Sequence, residues 1–534
     1  MREITNAAIA ERLEAFASLL DLAGASYYTA RAYRRAAELV RSTPAPIAEL
    51  VRAGRVRELR GIGPGIEARL RELVETGRIA ELDELEREVA PELVGFGRFL
   101  GLSANRAVEI ARAVGASSAE EFRAAVLDGR LRSAPGVGPK TEAKLRERLA
   151  AAEVERPRPR RGLLLNRARA LVEEIAGALD GEVAGDPRRW AELSDRLSIV
   201  CRDNRSLTWF PELPQIVAVV ETTETRAVGV TVEGVPVEVV VARGARFGTE
   251  LVRATGSDEY VAALEPLPDG ATEEAVYEAL GVPWCPPEVR EEPHREAPPR
   301  LLELADIRGD LHCHTTWSDG KASVLEMGEA ARERGYDYVA ICDHTPSVGA
   351  VPGLTADDVR RQGEEIAAAN ERLRPFRVLR GIECDIRRDA TLDLPDDLLA
   401  ELDWVMASVH GGQRGSREEM TKRVVEAMLN PHVDGISHPK GRILNHRPEN
   451  ALDLDEAFAV ALETGTALEV NGLPDRLDLS GRHVREAVAA GVKIVVSTDA
   501  HSVRGLGNME LAVHTARRGW ATAADVVNAG PFDE

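Results

Sequence analysis

Residues 309–320 read GDLHCHTTWSDG, and residues 497–502 read STDAHS. Each stretch closes an apolar run with two ligand-type side chains one residue apart: His312 and His314, then Asp499 and His501. On a β-strand alternate residues share a face, so each pair points one way and Cys313 or Ala500 the other. Between these ends lie further short apolar runs: YVAICDH (338–344), RVLRGIECDI (377–386), WVMASVH (404–410), VDGISH (433–438) and TALEV (466–470). Helical stretches separate them. Buried strands alternating with helices predict a parallel sheet. In a β/α barrel the C-terminal strand ends converge on one mouth, where ligand-bearing side chains meet.

Most of these strands end on, or just inside, a His, Asp or Glu. Asp319 lies in the turn WSDG, His344 follows Asp343, Glu383 lies in GIEC, His410 in SVH and His438 in SHP. With His312, His314, Asp499 and His501 they make nine groups, enough for two or three metals with a carboxylate as bridge. Imidazole mixed with carboxylate suits Zn²⁺, Mn²⁺ or Fe²⁺ better than Ca²⁺ or Cu⁺. Of eleven histidines none precedes His294, which concentrates this chemistry in the C-terminal part. His432, His446, His483 and His514 are expected to be ordinary surface or core residues. Cys313, Cys342 and Cys384 each neighbour a ligand, but alternation turns them into the wall as small core residues.

The rest of the chain reads differently. Residues 1–80 and 81–155 show helical spacing of apolar residues and read as two helical domains. RPRPRRG at 156–162 is a basic, Pro-rich linker. Residues 163–245 carry a helix and then β-rich runs, an α+β domain with an antiparallel sheet. Residues 246–298 turn helical and end in a Pro-rich connector, and 299–534 are the barrel. The net charge of −21 is uneven: about +4 falls on residues 1–161, leaving about −25 on the other 373. Five scattered cysteines exclude a disulfide scaffold. No run is long and apolar enough to cross a bilayer, and the acidic start lacks a leader's basic patch, so a cytoplasmic protein with no membrane partner is expected.

GIGPG (61–65) and GVGPK (136–140) each open a helix. Glycine lets backbone amides approach an anion, and a helix N-terminus adds a positive dipole. Gly61, Gly63, Gly65, Gly136, Gly138 and Lys140 are therefore candidate contacts to a DNA backbone, without readout of base sequence. The two units resemble helix-hairpin-helix motifs.

GDLHCHTTWSDG, AICDH, GIECDI, ASVHGG, SHPKGRIL and STDAHS together resemble the PHP phosphoesterase domain, the polymerase-and-histidinol-phosphatase family. That resemblance implies a distorted (β/α)7 barrel with a trinuclear centre. It would place His312, His314, Glu383 and Asp499 on one metal and Asp319, His344 and His501 on a second. Glu383, His410 and His438 would hold a third, with Glu383 bridging. Such ions activate water and neutralise phosphate oxygens, so no nucleophilic side chain is needed. Glu383, Asp499 and His501 are expected to carry the chemistry, and Lys440 and Arg442 are candidate phosphate contacts.

The order of parts resembles a bacterial family X DNA polymerase with a C-terminal PHP domain. ARAYRRAAELVR fits its N-terminal helical domain, and FGTELVRATGSDEY fits its thumb. The family's polymerase site carries Gly-Ser, Arg-Arg and two aspartates one residue apart. Here Gly185, Arg188 and Arg189 are kept, but Asp186 stands at the serine and Arg196 and Ser198 stand at the aspartates. Glu238 is the nearest match to the third acid. Arginine at a metal-ligand position repels the ions that nucleotidyl transfer requires. The expectation is a palm-like remnant and a metal-dependent phosphodiesterase acting on DNA. Its expected activity is a 3′–5′ exonuclease in repair, with a further cut at abasic sites. The alternatives are an active polymerase/exonuclease or a phosphomonoesterase of the histidinol-phosphatase type. The sequence names no protein partner.

Overall fold

The computed structural model describes residues 4–22, 27–82, 104–116, 119–152, 162–294, 296–349 and 351–532. Parts of the expected helical stretch (83–103, 117–118) and nearly all of the RPRPRRG linker lie outside the described residues. The chain divides into two compact units, 1–159 with 204–239, and 160–203 with 240–534. The 163–245 segment is thus shared between them.

In the first unit, helices Asn6–Leu22, Tyr27–Ser42, Ile47–Arg52 and Pro64–Thr76 bury one apolar face each. Ile9, Leu13 and Phe16 meet Tyr33, Val40, Ile66 and Leu70 in one core, which Val217 and Val230 of an antiparallel hairpin join. The turn before Pro64 shows why glycines recur there. Gly61 has φ of +107°, a region closed to most L-residues, and Gly63 is the extended N-cap that aims the helix. The second copy repeats the device: Gly136 has φ of +69° ahead of helix Pro139–Ala152, while Val137 is buried beneath it.

The second unit holds seven parallel strands in sequential order: β1 Gly309–Cys313, β2 Tyr338–Ile341, β3 Arg377–Asp385, β4 Trp404–Ser408, β5 Gly435–Ile436, β6 Ala467–Asn471 and β7 Ile494–Ser497. All seven expected strands are present. The sheet curls until its edges meet at the mouth: Cys313 bridges Ala500, and His314 N donates to Ala500 O at 2.9 Å. The result is a nearly closed (β/α)7 barrel. Its strands are buried on both faces, which is why they read as continuous apolar runs. Covering helices start at side-chain caps such as Ser323, Thr355 and Ser416, each in a capping box with an acid three residues on.

Residues 162–203 pack on this barrel. Helix Leu165–Leu179 and Trp190 meet Leu477 and Leu511 in one apolar cluster. Trp190 is stacked on His514 at 3.6 Å, and the Arg169 guanidinium covers it at 3.7 Å. The connector is pinned by Glu288, which is 4% exposed and accepts from His514 Nδ1 at 2.9 Å and Arg517 Nε at 2.7 Å. Burial opposes its charge, but these two donors hold its carboxyl down at about 2 against an ordinary 4.5. A lowered carboxyl stabilises the fold above its unfolded value and loses that contribution as pH falls to the folded one. Glu288→Gln should therefore cost on the order of 3 kcal/mol near neutral pH. The gap between the unfolding curves of variant and parent should close as pH falls from 4.5 toward 2.

Candidate metal centre

The nine ligand groups expected from the sequence all arrive at the barrel mouth. Alternation on β1 sends His312 and His314 inward, with Nε2 atoms 3.2 Å apart, while Cys313 enters the wall cluster. Cys342 and Cys384 likewise lie in apolar clusters. His344 bridges to Glu383 in parallel register, so the two neighbouring segments deliver these side chains at one level.

Glu383 is the hub. Its Oε2 lies 2.8 Å from His344 Nδ1, 3.5 Å from His312 Nε2 and 3.7 Å from His314 Nε2. Its Oε1 lies 3.0 Å from His438 Nε2 and 3.5 Å from His410 Nε2. On the far side Asp499 Oδ1 is 3.0 Å from His314 Nε2. Asp319 reaches His501 Nε2 at 3.2 Å and His344 Nε2 at 3.6 Å.

Three sets could each hold an ion, with donor atoms within 4.8 Å of one another: His312, His314 and Asp499; His314, Asp319, His344 and His501; and His344, Glu383 and His410. The grouping departs in detail from that implied by the family. His344 faces two sets, and His438 enters through Glu383. The donors fit divalent ions: buried Glu383 Oε2 has no aligned hydrogen-bond donor among the described residues, as does the remote His314 Nδ1 for acceptors.

The electrostatics agree. Burial alone would raise the Glu383 carboxyl, yet His410, His312 and His344 hold it far below the usual range. Asp499 is lowered in the same way, against burial, by His312 and His314. His314 is pushed down to about 3 by burial and by His344 and His501, so its nitrogen is free to coordinate.

Several supporting residues went unread in the sequence. Glu469, wholly buried on β6, accepts from His312 Nδ1 at 2.6 Å, the His438 backbone at 2.6 Å and Ser497 Oγ at 2.5 Å. Such an outer carboxylate fixes tautomer and ring orientation. Asp385 does the same for His410 Nδ1 at 3.2 Å. Asp310 accepts from Thr498 and so ties β1 to β7. Asp343 takes Thr315 and Gln362. Only strand-end position hinted at them.

Lys440 and Arg442, expected at phosphate, are both buried and donate to acceptors within the protein. Lys440 Nζ donates to Leu452 O at 3.1 Å. Arg442 donates to Arg476 O at 2.8 Å, Leu477 O and Glu192 at 3.2 Å. A different cation, Arg476, sits by the ligands, with Nε 3.8 Å from Asp499 Oδ2.

Several of the polymerase-like positions are engaged in ion pairs. Asp186 is paired with Arg189, which also reaches Thr255 O and Glu291. Arg188 forks onto Glu273 at 2.7 and 2.8 Å, and Glu273 is shared with buried Arg290. Arg196 is 63% exposed beside Asp258, Ser198 is buried against Gly185, and Glu238 is paired with Arg226.

Comparison with known proteins accords with this geometry. Residues 4–79 match the helix-hairpin-helix domain model and residues 310–472 the PHP domain model. A probable phosphatase of Acetivibrio thermocellus is 31% identical over 201 aligned positions, 36% of this chain and 78% of that protein. A probable phosphatase of Thermoanaerobacter sp. is 29% identical over 41% of this chain and 89% of its own length. The fold and site thus define a metal-dependent phosphoesterase of the nuclease type. The DNA polymerase/3′-5′ exonuclease PolX of Bacillus subtilis is 32% identical over 97% of this chain and 96% of its own length. The chain belongs to the bacterial family X DNA polymerases that carry a C-terminal PHP domain.

Elemental analysis tests the hub. Glu383→Ala should strip most of the bound divalent metal, whereas His432→Ala, away from the mouth, should leave it in place. Glu469→Gln should weaken metal affinity about 10–100-fold while all nine ligands remain.

Proposed function

We propose that the protein is a metal-dependent phosphodiesterase acting on DNA, most simply a 3′–5′ exonuclease that trims ends in repair, with a further cut at abasic sites. The observation that carries this reading is the meeting of nine candidate ligand side chains at one mouth, with the Glu383 carboxylate shared among five of the histidines. Two or three divalent ions, Mn²⁺, Zn²⁺ or Fe²⁺, would supply Lewis acidity and a lowered water pKa. The protein's own contribution is orientation. Glu469 and Asp385 fix two imidazoles, and the apolar wall behind them limits movement of the set. His501, held up at about 9 against burial by its hydrogen bond to Asp319, lies at the exposed rim and marks the side open to solvent.

The glycine turns at 61–65 and 136–140 support binding of DNA backbone rather than base sequence, with Lys140 adding a charge. The ion pairs at Asp186–Arg189 and Arg188–Glu273 support loss of nucleotidyl transfer. Groups that would face a triphosphate are spent on one another, and no pair of carboxylates stands at the aspartate positions. The probable phosphatases align with only 36% and 41% of this chain, and their names favour a monoesterase as the second reading.

With Mn²⁺ the purified protein should release mononucleotides from 3′-ended DNA, and Glu383→Ala should lower the rate at least about a thousandfold, since every set touches that carboxylate directly or through a neighbour. On a primed template with dNTPs it should add nothing measurable. Fast turnover of small phosphomonoesters with intact DNA would overturn the diesterase reading, and templated extension would overturn the reading of the palm.

A further inference from the structure

The loop 472–480, between β6 and helix Gly481–Ala490, brings one cation into the metal centre. The Arg476 guanidinium faces Asp499, with Nε 3.8 Å from Oδ2. Its Nη1 is buried and has no hydrogen-bond partner among the described residues. An unpaired buried guanidinium nitrogen is costly. A cation placed among sites that collect divalent cations is also repelled as they fill. An arriving phosphate relieves both costs, because its oxygens match the planar fork of an arginine.

The loop closes a turn of its own, with Arg476 N and Leu477 N donating to Leu473 O at 2.9 and 3.1 Å, and is also held from outside. Arg442 Nε donates to Arg476 O at 2.8 Å and Arg442 also caps Leu477 O. Leu444 N donates to Asp475 O at 2.7 Å, and Asp478 accepts from the backbone of Lys440 and Arg442. Leu477, at φ of +45°, packs on Leu165 and Trp190. Arg442 is in turn held by Glu192 at 3.2 Å, which also pairs with Arg518 at 3.2 Å. Both Glu192 and Trp190 belong to the palm-like segment.

We propose that Arg476 binds the phosphate of the substrate at the metal centre, and that Glu192 of the palm-like segment positions it through Arg442. The proposal rests on the phosphoesterase reading of the site. The test is calorimetric titration of the full chain, loaded with Mn²⁺, with inorganic phosphate, alongside its Mn²⁺ content. Arg476→Ala should keep the metal and lose at least tenfold in phosphate affinity. Arg476→Lys should recover only part, since lysine restores the charge beside Asp499 but not the fork. Glu192→Gln should weaken phosphate binding less than Arg476→Ala, and should add nothing in the double variant.

Parent-like phosphate binding by Arg476→Ala, or full recovery by lysine, would overturn the phosphate role and leave Arg476 as a counter-charge for Asp499. Loss of Mn²⁺ from Arg476→Ala would overturn it too, as would a parent chain that binds no phosphate. Effects of Glu192→Gln and Arg476→Ala that add in full would overturn the positioning by Glu192. Phosphate binding through Arg476 in a parent that leaves DNA intact would instead sink the diesterase reading while upholding this one.

Discussion

One carboxylate, that of Glu383, is shared by five imidazoles at the mouth of a parallel barrel. A buried acid at that density of bases is stable only because each charge answers another. Everything nearby follows from keeping that arrangement: strands buried on both faces, an edge-to-edge seam at Cys313 and Ala500, and outer acids behind the rings. The barrel is a frame for holding nitrogen and oxygen atoms at fixed separations in a place where water competes poorly.

The palm-like segment makes a contrast. Its arginines are held by Asp186, Glu273, Glu291 and Thr255 O, and the same segment extends the chain of charges through Glu192 to Arg442 and Arg518. Breaking a buried pair by removing one partner leaves an uncompensated charge, so such a chain resists piecemeal change.

The convergence of these side chains was legible in the sequence because strand periodicity and strand ends coincide: His-x-His and Asp-x-His are meaningful only once the run before them is a strand. The supporting acids were harder. Glu469 is a single acid inside TALEV, and spacing does not tell an outer partner of His312 from a ligand. Lys440 and Arg442 stood close to His438 in sequence, which suggested phosphate. The chain turns sharply there, with His438 at φ of +29° and Gly441 at +56°, and both side chains go to structural acceptors. Arg476 was hidden for the converse reason: its loop has no periodicity, and its placement depends on contacts from residues more than thirty positions away. The substitutions at 186, 196 and 198 were visible, but not that Arg189 would be the partner of Asp186.

The Asp186–Arg189 pair has a consequence for how this chain can vary. Exchange of Asp186 alone for a small hydroxyl residue would remove one carboxylate partner of Arg189, leaving its ties to Thr255 O and to Glu291, which runs on to Arg518 and Glu192. Substitution at any one of these positions therefore changes what is tolerated at the others. Across homologues they should drift as a correlated group rather than independently, and a chimaera that swaps the palm-like segment without the barrel residues it clasps would inherit mismatched partners.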